Sequence, residues 1–210
     1  MAQENLDRSI KGFLNQSDEY LNKIYHREED INNVSHAITD YLVKSNQLSL
    51  PLADQKILGS MFYVVNDIER IGDHAENFAD YTKTELKHNT GLTVDAKEEI
   101  KKMYEAVSKL LKLSLESFMA QDGVNTQEDK LAEIAALEAS IDKMERRYQK
   151  HHIKRLAKGD CEPRAGLLFS DMLSELERIA DHSVNIAYSM SDEDEDEMLA
   201  AENEALATNN

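Results

Sequence analysis

The chain has little of what builds sheets, covalent crosslinks or tight turns. Its 210 residues include two prolines, seven glycines, one cysteine and no tryptophan. The single cysteine, Cys161, excludes an internal disulfide. Leu, Ala, Glu, Lys, Ile and Asp dominate instead, a composition that is typical of helices rather than of turn-rich sheets. The composition therefore predicts an all-α fold.

Long apolar runs are also missing. The longest ones, residues 61–65 and 165–169, are far shorter than the roughly 20 residues that cross a bilayer. The first residues lack the basic start and apolar core of a signal peptide. Together with the lone cysteine, these absences predict a cytoplasmic location.

Positive charge is scarce. Forty-one acidic residues against 24 Lys and Arg give a formal charge of −17, which repels phosphate backbones and excludes direct binding of nucleic acid. Residues 191–210 hold eight acids and no Lys or Arg. This segment is predicted to be a disordered acidic tail.

Apolar residues recur every three or four positions over six segments, which predicts six helices. Pro51 and Pro163 stand where the first turn of a helix tolerates proline. Ser17 with Asp18 is predicted to cap the second helix, and Asn125 or Thr126 the fifth. The predicted helices cover approximately residues 2–15, 17–45, 51–88, 93–120, 125–156 and 163–190.

A twelve-residue motif occurs twice, near the ends of the third and sixth helices. Residues 66–77 read NDIERIGDHAEN and residues 174–185 read SELERIADHSVN, with six identities. Glu69 recurs as Glu177, and the other identities keep the same separation along the chain. Repetition in register with a repeated helix order indicates an internal duplication. We therefore predict two similar three-helix bundles, residues 1–90 and 91–190, packed side by side.

Each copy of the motif carries two carboxylates four residues apart. Residues four apart lie on the same face of a helix, so Glu69 is stacked with Asp73, and Glu177 with Asp181. Such like-charged pairs cost about 0.2–0.5 kcal/mol in an isolated helix. A cation held between the carboxylates reverses the sign of that interaction. The spacing therefore indicates two candidate metal-binding faces.

The middle helix of each bundle adds further oxygen atoms. The fifth helix carries Glu138 and Asp142, again four apart, and its alignment with the second helix pairs them with Glu28 and Asn32. The first bundle thus has one carboxylate fewer. Carboxylate sites favour Mg, Ca, Mn, or iron in oxygen-rich clusters. The polar residues that follow the motif acids are candidates to bind the metal or to orient its ligands by hydrogen bonding: His74, Asn77, His182 and Asn185.

Two other interpretations stay open at this point. Acids four residues apart also arise by chance on solvated helix faces. A duplication would equally preserve the motif for a packing role, in which Arg70 and Arg178 pair with acids of the opposite bundle. The chain would then be a helical interaction module without metal. A carboxylate-bridged di-metal enzyme uses Glu-x-x-His pairs, and the one such pair, Glu85 with His88, lies outside the repeat. The chain is therefore not predicted to be an enzyme.

The motifs resemble those of the PhoU family, whose unit is a three-helix bundle that occurs twice per chain. The likeness is strongest to the cytoplasmic C-terminal PhoU-like region of bacterial sodium/phosphate cotransporters, through VVNDIERIGDHAEN at residues 64–77, ITDYLVKS at residues 38–45, and the segment 161–187. The resemblance covers residues 2–190 and implies regulation of phosphate transport with clustered metal ions, typically iron or zinc. The implied metal ligands are Glu28, Glu69, Asp73, Glu138, Asp142, Glu177 and Asp181.

The resemblance also implies partners and a location. A membrane phosphate transporter is the expected partner, either as a transmembrane region of the same protein or as a separate subunit. That partner would hold the domain at the inner face of the plasma membrane. A signalling kinase and a second copy of the chain are further candidate partners.

Overall fold

The structure is a computed structural model that describes residues 1–88, 92–119 and 124–189. These residues contain six α-helices and no strand. The predictions of an all-α fold and of six helices are confirmed. The helices are α1 (Ala2–Leu14), α2 (Leu21–Ser45), α3 (Leu52–His88), α4 (Val94–Met119), α5 (Val124–Lys158) and α6 (Pro163–Tyr188).

The two prolines mark helix starts, as predicted. Pro163 is the first residue of α6, where its missing amide hydrogen would have no helical partner in any case. Pro51 directly precedes α3, and its carbonyl accepts a helical hydrogen bond from the amide of Gln55 at 3.1 Å. A proline therefore stands at or directly before the start of the third helix of each bundle.

Two predicted helix caps are wrong. Ser17 does not cap α2, which begins at Leu21. Its hydroxyl instead accepts a hydrogen bond at 3.3 Å from the backbone amide two residues later, within the connecting turn. The fifth helix already runs from Val124, so neither Asn125 nor Thr126 precedes it. Short polar side chains compete for local backbone groups, and the turn geometry decides which group they reach.

The helices form two bundles that meet along α3 and α6. Helices α1, α2 and α3 pack together, as do α4, α5 and α6, and α1 also contacts α4. One continuous apolar core runs through both bundles. Burial of each large side chain in such a core stabilises the fold by about 1.5–3 kcal/mol. The largest fully buried side chains include Leu6, Ile10, Phe13, Phe78, Ile100, Met103, Leu110 and Phe169.

The bundles differ most in their first helix. Helix α1 has 13 residues and α4 has 26, whereas α3 has 37. At a rise of 1.5 Å per residue, α1 spans about 20 Å and α3 about 55 Å. Helix α1 therefore covers only part of the length of the α2–α3 pair.

Gly72 lets α2 and α3 approach closely beside the first acidic pair. A Cβ atom at this position would lie 3.2 Å from Cγ2 of Ile31 on α2. A larger side chain would therefore displace the isoleucine and separate the two helices.

None of the described helices combines the length and the hydropathy needed to cross a membrane. The predicted tail, residues 191–210, lies outside the described residues, and so do the predicted helix ends at Ala120 and Met190.

Candidate metal-binding faces and the bundle interface

One acidic face lies between α2 and α3. Glu28 on α2 is only 8% exposed, and burial raises the pKa of its carboxyl group. Negative charges on α3 raise this pKa further, those of Glu76, Asp73 and Glu69. Such repulsion requires the carboxyl groups to lie close together. The structure therefore brings the three predicted acids of the first bundle onto one face and adds Glu76, which was not predicted from the sequence.

Asn32 lies beside Glu28 on the same face. Its amide nitrogen donates a hydrogen bond to Oε1 of Glu28, whereas its Oδ1 is buried and has no hydrogen-bond partner among the described residues. A buried acceptor without a donor costs about 1–3 kcal/mol. A cation would satisfy this oxygen as well as the carboxylates, so the residues of this face fit a metal ion that prefers oxygen ligands.

The second acidic face lies between α5 and α6. Burial raises the pKa of Glu138, as do the charges of Asp142 and Asp181. Burial and Asp142 raise the pKa of Asp181. Burial also raises the pKa of Glu177, as do Asp181 and Glu145. All four predicted acids of the second bundle thus share one face.

Positive side chains neutralise the two faces only in part. Arg146 forms an ion pair with Asp142 at 3.0 Å. Arg70 and Arg178 each lower the pKa of the glutamate before them, but burial and the neighbouring acids outweigh the arginines. In the parts of the chain that the structure describes, no three Asp, Glu, His or Cys side chains already converge into a group that could hold a metal. A metal ion would therefore have to gather the carboxylates by side-chain rotation.

The two motif histidines lie at the interface between the bundles. Nδ1 of His74 contacts the carboxylate of Glu175 on α6. Nδ1 of His182 contacts the carboxylate of Asp67 on α3 at 2.8 Å. The two imidazole rings stack on each other with their centroids 5.5 Å apart. Their Nδ1 atoms are therefore engaged across the interface and not with the predicted metal ligands.

These contacts have approximate two-fold symmetry. Asp67 and Glu175 occupy equivalent positions of the two motif copies, as do His74 and His182, and each histidine contacts the acid of the other copy. Helices α3 and α6 are therefore antiparallel where they meet. All four side chains are between 10% and 13% exposed, so the bundles are joined by a largely buried polar cluster.

Glu175 has several partners in this cluster. Besides the contact with His74, it accepts hydrogen bonds from Nδ2 of Asn77 at 3.0 Å and from the hydroxyl of Tyr81 at 3.4 Å. Burial alone would raise the pKa of Glu175, but the hydrogen bonds from His74 and Asn77 and the positive charge of Arg178 hold it below its usual value. The interface therefore stabilises the ionised form of this carboxyl group.

The two interface acids were not among the residues predicted from the sequence. Asp67 and Glu175 differ in residue type, so they do not count among the six identities of the repeat. Both nevertheless stand seven residues before the motif histidine, which places acid and histidine on one helix face. The acid repeated at this position of the motif was the signal from which both residues could have been predicted. Both motif asparagines are exposed, and Asn77 also donates a hydrogen bond across this interface.

Comparison with known proteins identifies the family of this two-bundle chain. The sequence model of the PhoU domain matches residues 1–82 and 100–190. The chain belongs to the PhoU family. A PhoU homologue from Thermotoga maritima, the phosphate-specific transport system accessory protein PhoU homolog 1, is 20% identical over 187 residues, which cover 89% of this chain and 78% of that protein.

Two crystal structures share the PhoU fold with this chain. PhoU from Pseudomonas aeruginosa matches with a TM-score of 0.78 and 20% identity, over 90% of this chain and 87% of the other. The phosphate transport system regulatory protein PhoU from Streptococcus pneumoniae matches with a TM-score of 0.75 and 22% identity, over 90% and 88%. At these identities the likeness shows the fold, and the predicted PhoU-like architecture is confirmed.

Proposed function

We propose that this PhoU-family chain is a metal-binding regulatory domain of phosphate transport. The observation that carries the proposal is the duplicated acidic face, on which aspartates raise the pKa of glutamates that are at least partly buried, in both bundles. The names of relatives support the transport role. The Thermotoga protein is named an accessory protein of a phosphate-specific transport system, and the Streptococcus protein a regulatory protein of a phosphate transport system.

The chain's own residues would hold one metal site or cluster on each bundle. Magnesium, calcium, manganese and iron suit such oxygen ligands, and zinc is a further candidate from the family resemblance. When bound, a multivalent cation supplies positive charge that offsets the carboxylate repulsion and links neighbouring helices. The proposed ligands are Glu28, Glu69 and Asp73, with Oδ1 of Asn32, in the first bundle, and Glu138, Asp142, Glu177 and Asp181 in the second.

Each acidic face adjoins the bundle interface within a single helical turn. Asp73 directly precedes His74, and Asp181 directly precedes His182. Both aspartates are exposed, whereas both histidines reach across to the other bundle. A shift of the backbone at either aspartate would therefore alter a contact between the bundles. We propose this adjacency as the route by which occupation of an acidic face changes the relative position of the two bundles.

Metal analysis of the purified full chain tests the sites. The double variant Glu69→Ala, Glu177→Ala removes one carboxylate from each face and is expected to lose most of the bound metal in mass spectrometry with inductively coupled plasma. Glu105→Ala, Glu116→Ala is the matched control, because both glutamates are exposed on α4 and the loss of charge is the same. Equal metal content in the wild type and in both variants would contradict the proposed sites.

We further propose that the domain is the cytoplasmic regulatory region of a sodium-dependent phosphate cotransporter, held at the inner face of the plasma membrane. The support is the motif at residues 64–77, which resembles that branch of the family. Its action would be regulatory and not catalytic. Uptake of radiolabelled phosphate into vesicles that contain such a cotransporter should change when the domain is added on the cytoplasmic side. Unchanged uptake with the metal-loaded wild-type domain would contradict this assignment and leave metal binding untouched.

A further inference from the structure

Positive charge is concentrated in the second half of α5. Residues 143–158 hold seven Lys and Arg against a single acid, a net charge of +6 in a chain of −17. Four of these cations are exposed and recur every three or four residues, so they lie on one face of the helix. We call them the basic stripe: Lys143, Arg147, Lys150 and Lys154. At 1.5 Å per residue the stripe is about 16 Å long.

The basic stripe is not paired with acids. Within the described residues, the ion pairs in this half of α5 use Arg146, His151 and Arg155 instead. Successive members of the stripe are like-charged pairs three or four residues apart, which destabilise a helix. The helix dipole favours cations only in the last turn, and α5 continues to Lys158, so the dipole does not account for the stripe. A partner with negative charge would convert this repulsion into attraction.

The first bundle has no such stripe. In the alignment of the two middle helices, the equivalent positions of α2 are Asn33, Ala37, Asp40 and Lys44, which together carry no net charge. The acidic faces and the interface acids are present in both bundles, whereas the stripe is present in one. The duplicated plan of the molecule therefore does not explain the stripe, which indicates a role that belongs to the second bundle.

The segment that follows the second bundle carries the complementary charge. Residues 192–197 read DEDEDE, six consecutive acids, and residues 191–210 contain no Lys or Arg. Blocks of like charge of this length are often interaction tails. We call residues 192–197 the acidic run. Its charge and the spacing of the stripe allow several ion pairs to form at once.

The acidic run is attached close enough to reach the stripe. Helix α6 ends at Tyr188, whose hydroxyl donates a hydrogen bond to the carbonyl of Leu131 on α5 at 3.4 Å. Along α5, Lys143 lies about 18 Å and Arg147 about 24 Å beyond Leu131. An extended chain from Tyr188 to the end of the run spans at most about 30 Å. The run can therefore lie beside the nearer part of the stripe.

Attachment favours the acidic run over other anions. Residues 1–190 hold 33 acids against 24 Lys and Arg, a charge of −9, which repels an anionic lipid surface or a second copy of the chain. The run is part of the same molecule, so its effective concentration at the stripe is high and does not depend on the protein concentration.

We propose that the acidic run at residues 192–197 binds to the basic stripe of α5 within the same chain. The run neutralises the stripe and covers a positive surface of the second bundle. Exposed ion pairs are individually weak and screened by salt, so the contact depends on several pairs together and on ionic strength. The inference rests on the stripe and the run and not on the proposed metal sites.

A zero-length crosslinker tests the contact in the full chain. Carbodiimide joins a lysine amine to a carboxylate that touches it, and mass spectrometry identifies the joined residues. Links from Lys143 and Lys150 to residues 192–197 are expected, and they should fall by about fivefold or more at about 1 M salt, where the screening length is about 3 Å. Arg147→Glu reverses a charge between these lysines without removing a reacting amine, and it should reduce the same links.

The matched control is Arg164→Glu, which makes the same change of charge at an exposed residue of α6 and should leave the links unchanged. A mixture of unlabelled and nitrogen-15-labelled chains shows whether the joined residues belong to one chain. Links that form chiefly between chains would overturn the proposal by assigning the stripe to a second copy. Links spread evenly over the stripe and over Lys23 and Lys44, exposed lysines of α2, would overturn it too.

Nuclear magnetic resonance tests the contact from the side of the stripe. A full-length variant in which the six acids of residues 192–197 become their amides should shift the backbone amide signals of residues 143–154. A free peptide of residues 190–204 should reverse these shifts in the variant and should leave the unmodified chain unchanged, because the attached run already occupies the stripe.

Unchanged signals in the amide variant would contradict the proposed contact. Absence of the crosslinks, together with sedimentation of the unmodified chain with vesicles of phosphatidylcholine and phosphatidylserine, would also overturn the proposal, by assigning the stripe to anionic lipid.

Discussion

The two bundles share a helix order and a motif but differ in how completely they close. The second has a full-length first helix, and the groove between α5 and α6 is filled by apolar residues and by the ion pair of Glu99 with Arg155. The first has a helix of half that length and an exposed apolar groove. The polar interface and the acidic faces are preserved in both copies. The centre of the molecule is therefore symmetric, whereas equivalent residues farther from it differ in exposure.

The acidic faces differ in a smaller way. The second face has Asp142, which is paired with Arg146, where the first has Asn32 with a buried oxygen that lacks a hydrogen-bond partner among the described residues. The first face thus has an amide at the position where the second has a carboxylate that is partly neutralised. Variants at equivalent positions of the two bundles separate what is shared from what has diverged.

The largest expected difference is in the cores. Phe169→Ala removes a fully buried ring and should lower the free energy of unfolding by about 3–5 kcal/mol. Met61→Ala at the equivalent position should cost less than about 1 kcal/mol, because Met61 is 38% exposed. Urea unfolding followed by circular dichroism measures both. Similar losses would mean that the groove of the first bundle is closed in solution.

Removal of an interface acid should cost less than the core variant. Glu175→Ala leaves the hydrogen-bonding groups of His74 and Asn77 without their acceptor, and we expect a loss of about 1–3 kcal/mol in the free energy of unfolding. Asp67→Ala should give a loss of the same order if the interface is symmetric. Thermal unfolding is the measurement, and Glu105→Ala on the exposed side of α4 is the control. A negligible loss for Asp67→Ala alone would show that the two halves of the cluster are unequal.

The contribution of Glu175 should depend on pH. Its pKa is held below the usual value in the folded protein, so its stabilising effect is present above the unfolded pKa of about 4.3 and is lost as the pH falls through the folded pKa. The difference in unfolding free energy between the wild type and Glu175→Gln should therefore be large at neutral pH and shrink below about pH 4. Urea unfolding at a series of pH values measures it. A difference that stays constant down to about pH 3 would argue against this linkage.

The smallest expected effect is on the first acidic face. Asn32→Asp supplies the carboxylate that the second face has at this position, and without metal it should destabilise the chain by about 0.5–1.5 kcal/mol, because the hydrogen bond that Asn32 donates to Glu28 is replaced by repulsion between two carboxylates. It should also strengthen manganese binding in calorimetric titration. Asn33→Asp is the control, because it adds the same charge on an exposed neighbouring position. If both variants change stability and manganese binding equally, the added net charge causes the effect and the position on the acidic face does not.

Much of the fold could be predicted because helices are built from local rules. Periodic apolar residues placed all six helices, and the repeated motif indicated the two bundles. The alignment of the two halves also predicted that Glu28 lies on the same face as the acids of α3. The acids of one helix share a face because of their spacing alone. The predicted caps at Ser17 and Asn125 were wrong because capping depends on the conformation of the turn before the helix, and the spacing of apolar residues does not specify that conformation.

The sequence by itself determined the helices, the duplication and the side of each helix that carries the acids, because these depend on neighbours within a few residues. Only the tertiary structure decided that His74 meets Glu175 and that His182 meets Asp67, contacts between residues far apart along the chain. Only the structure showed that Ile38 and Met61 are exposed whereas their counterparts in the second bundle, Tyr148 and Phe169, are buried. Both features depend on how helices are packed against one another, and periodicity within one helix carries no information about that register.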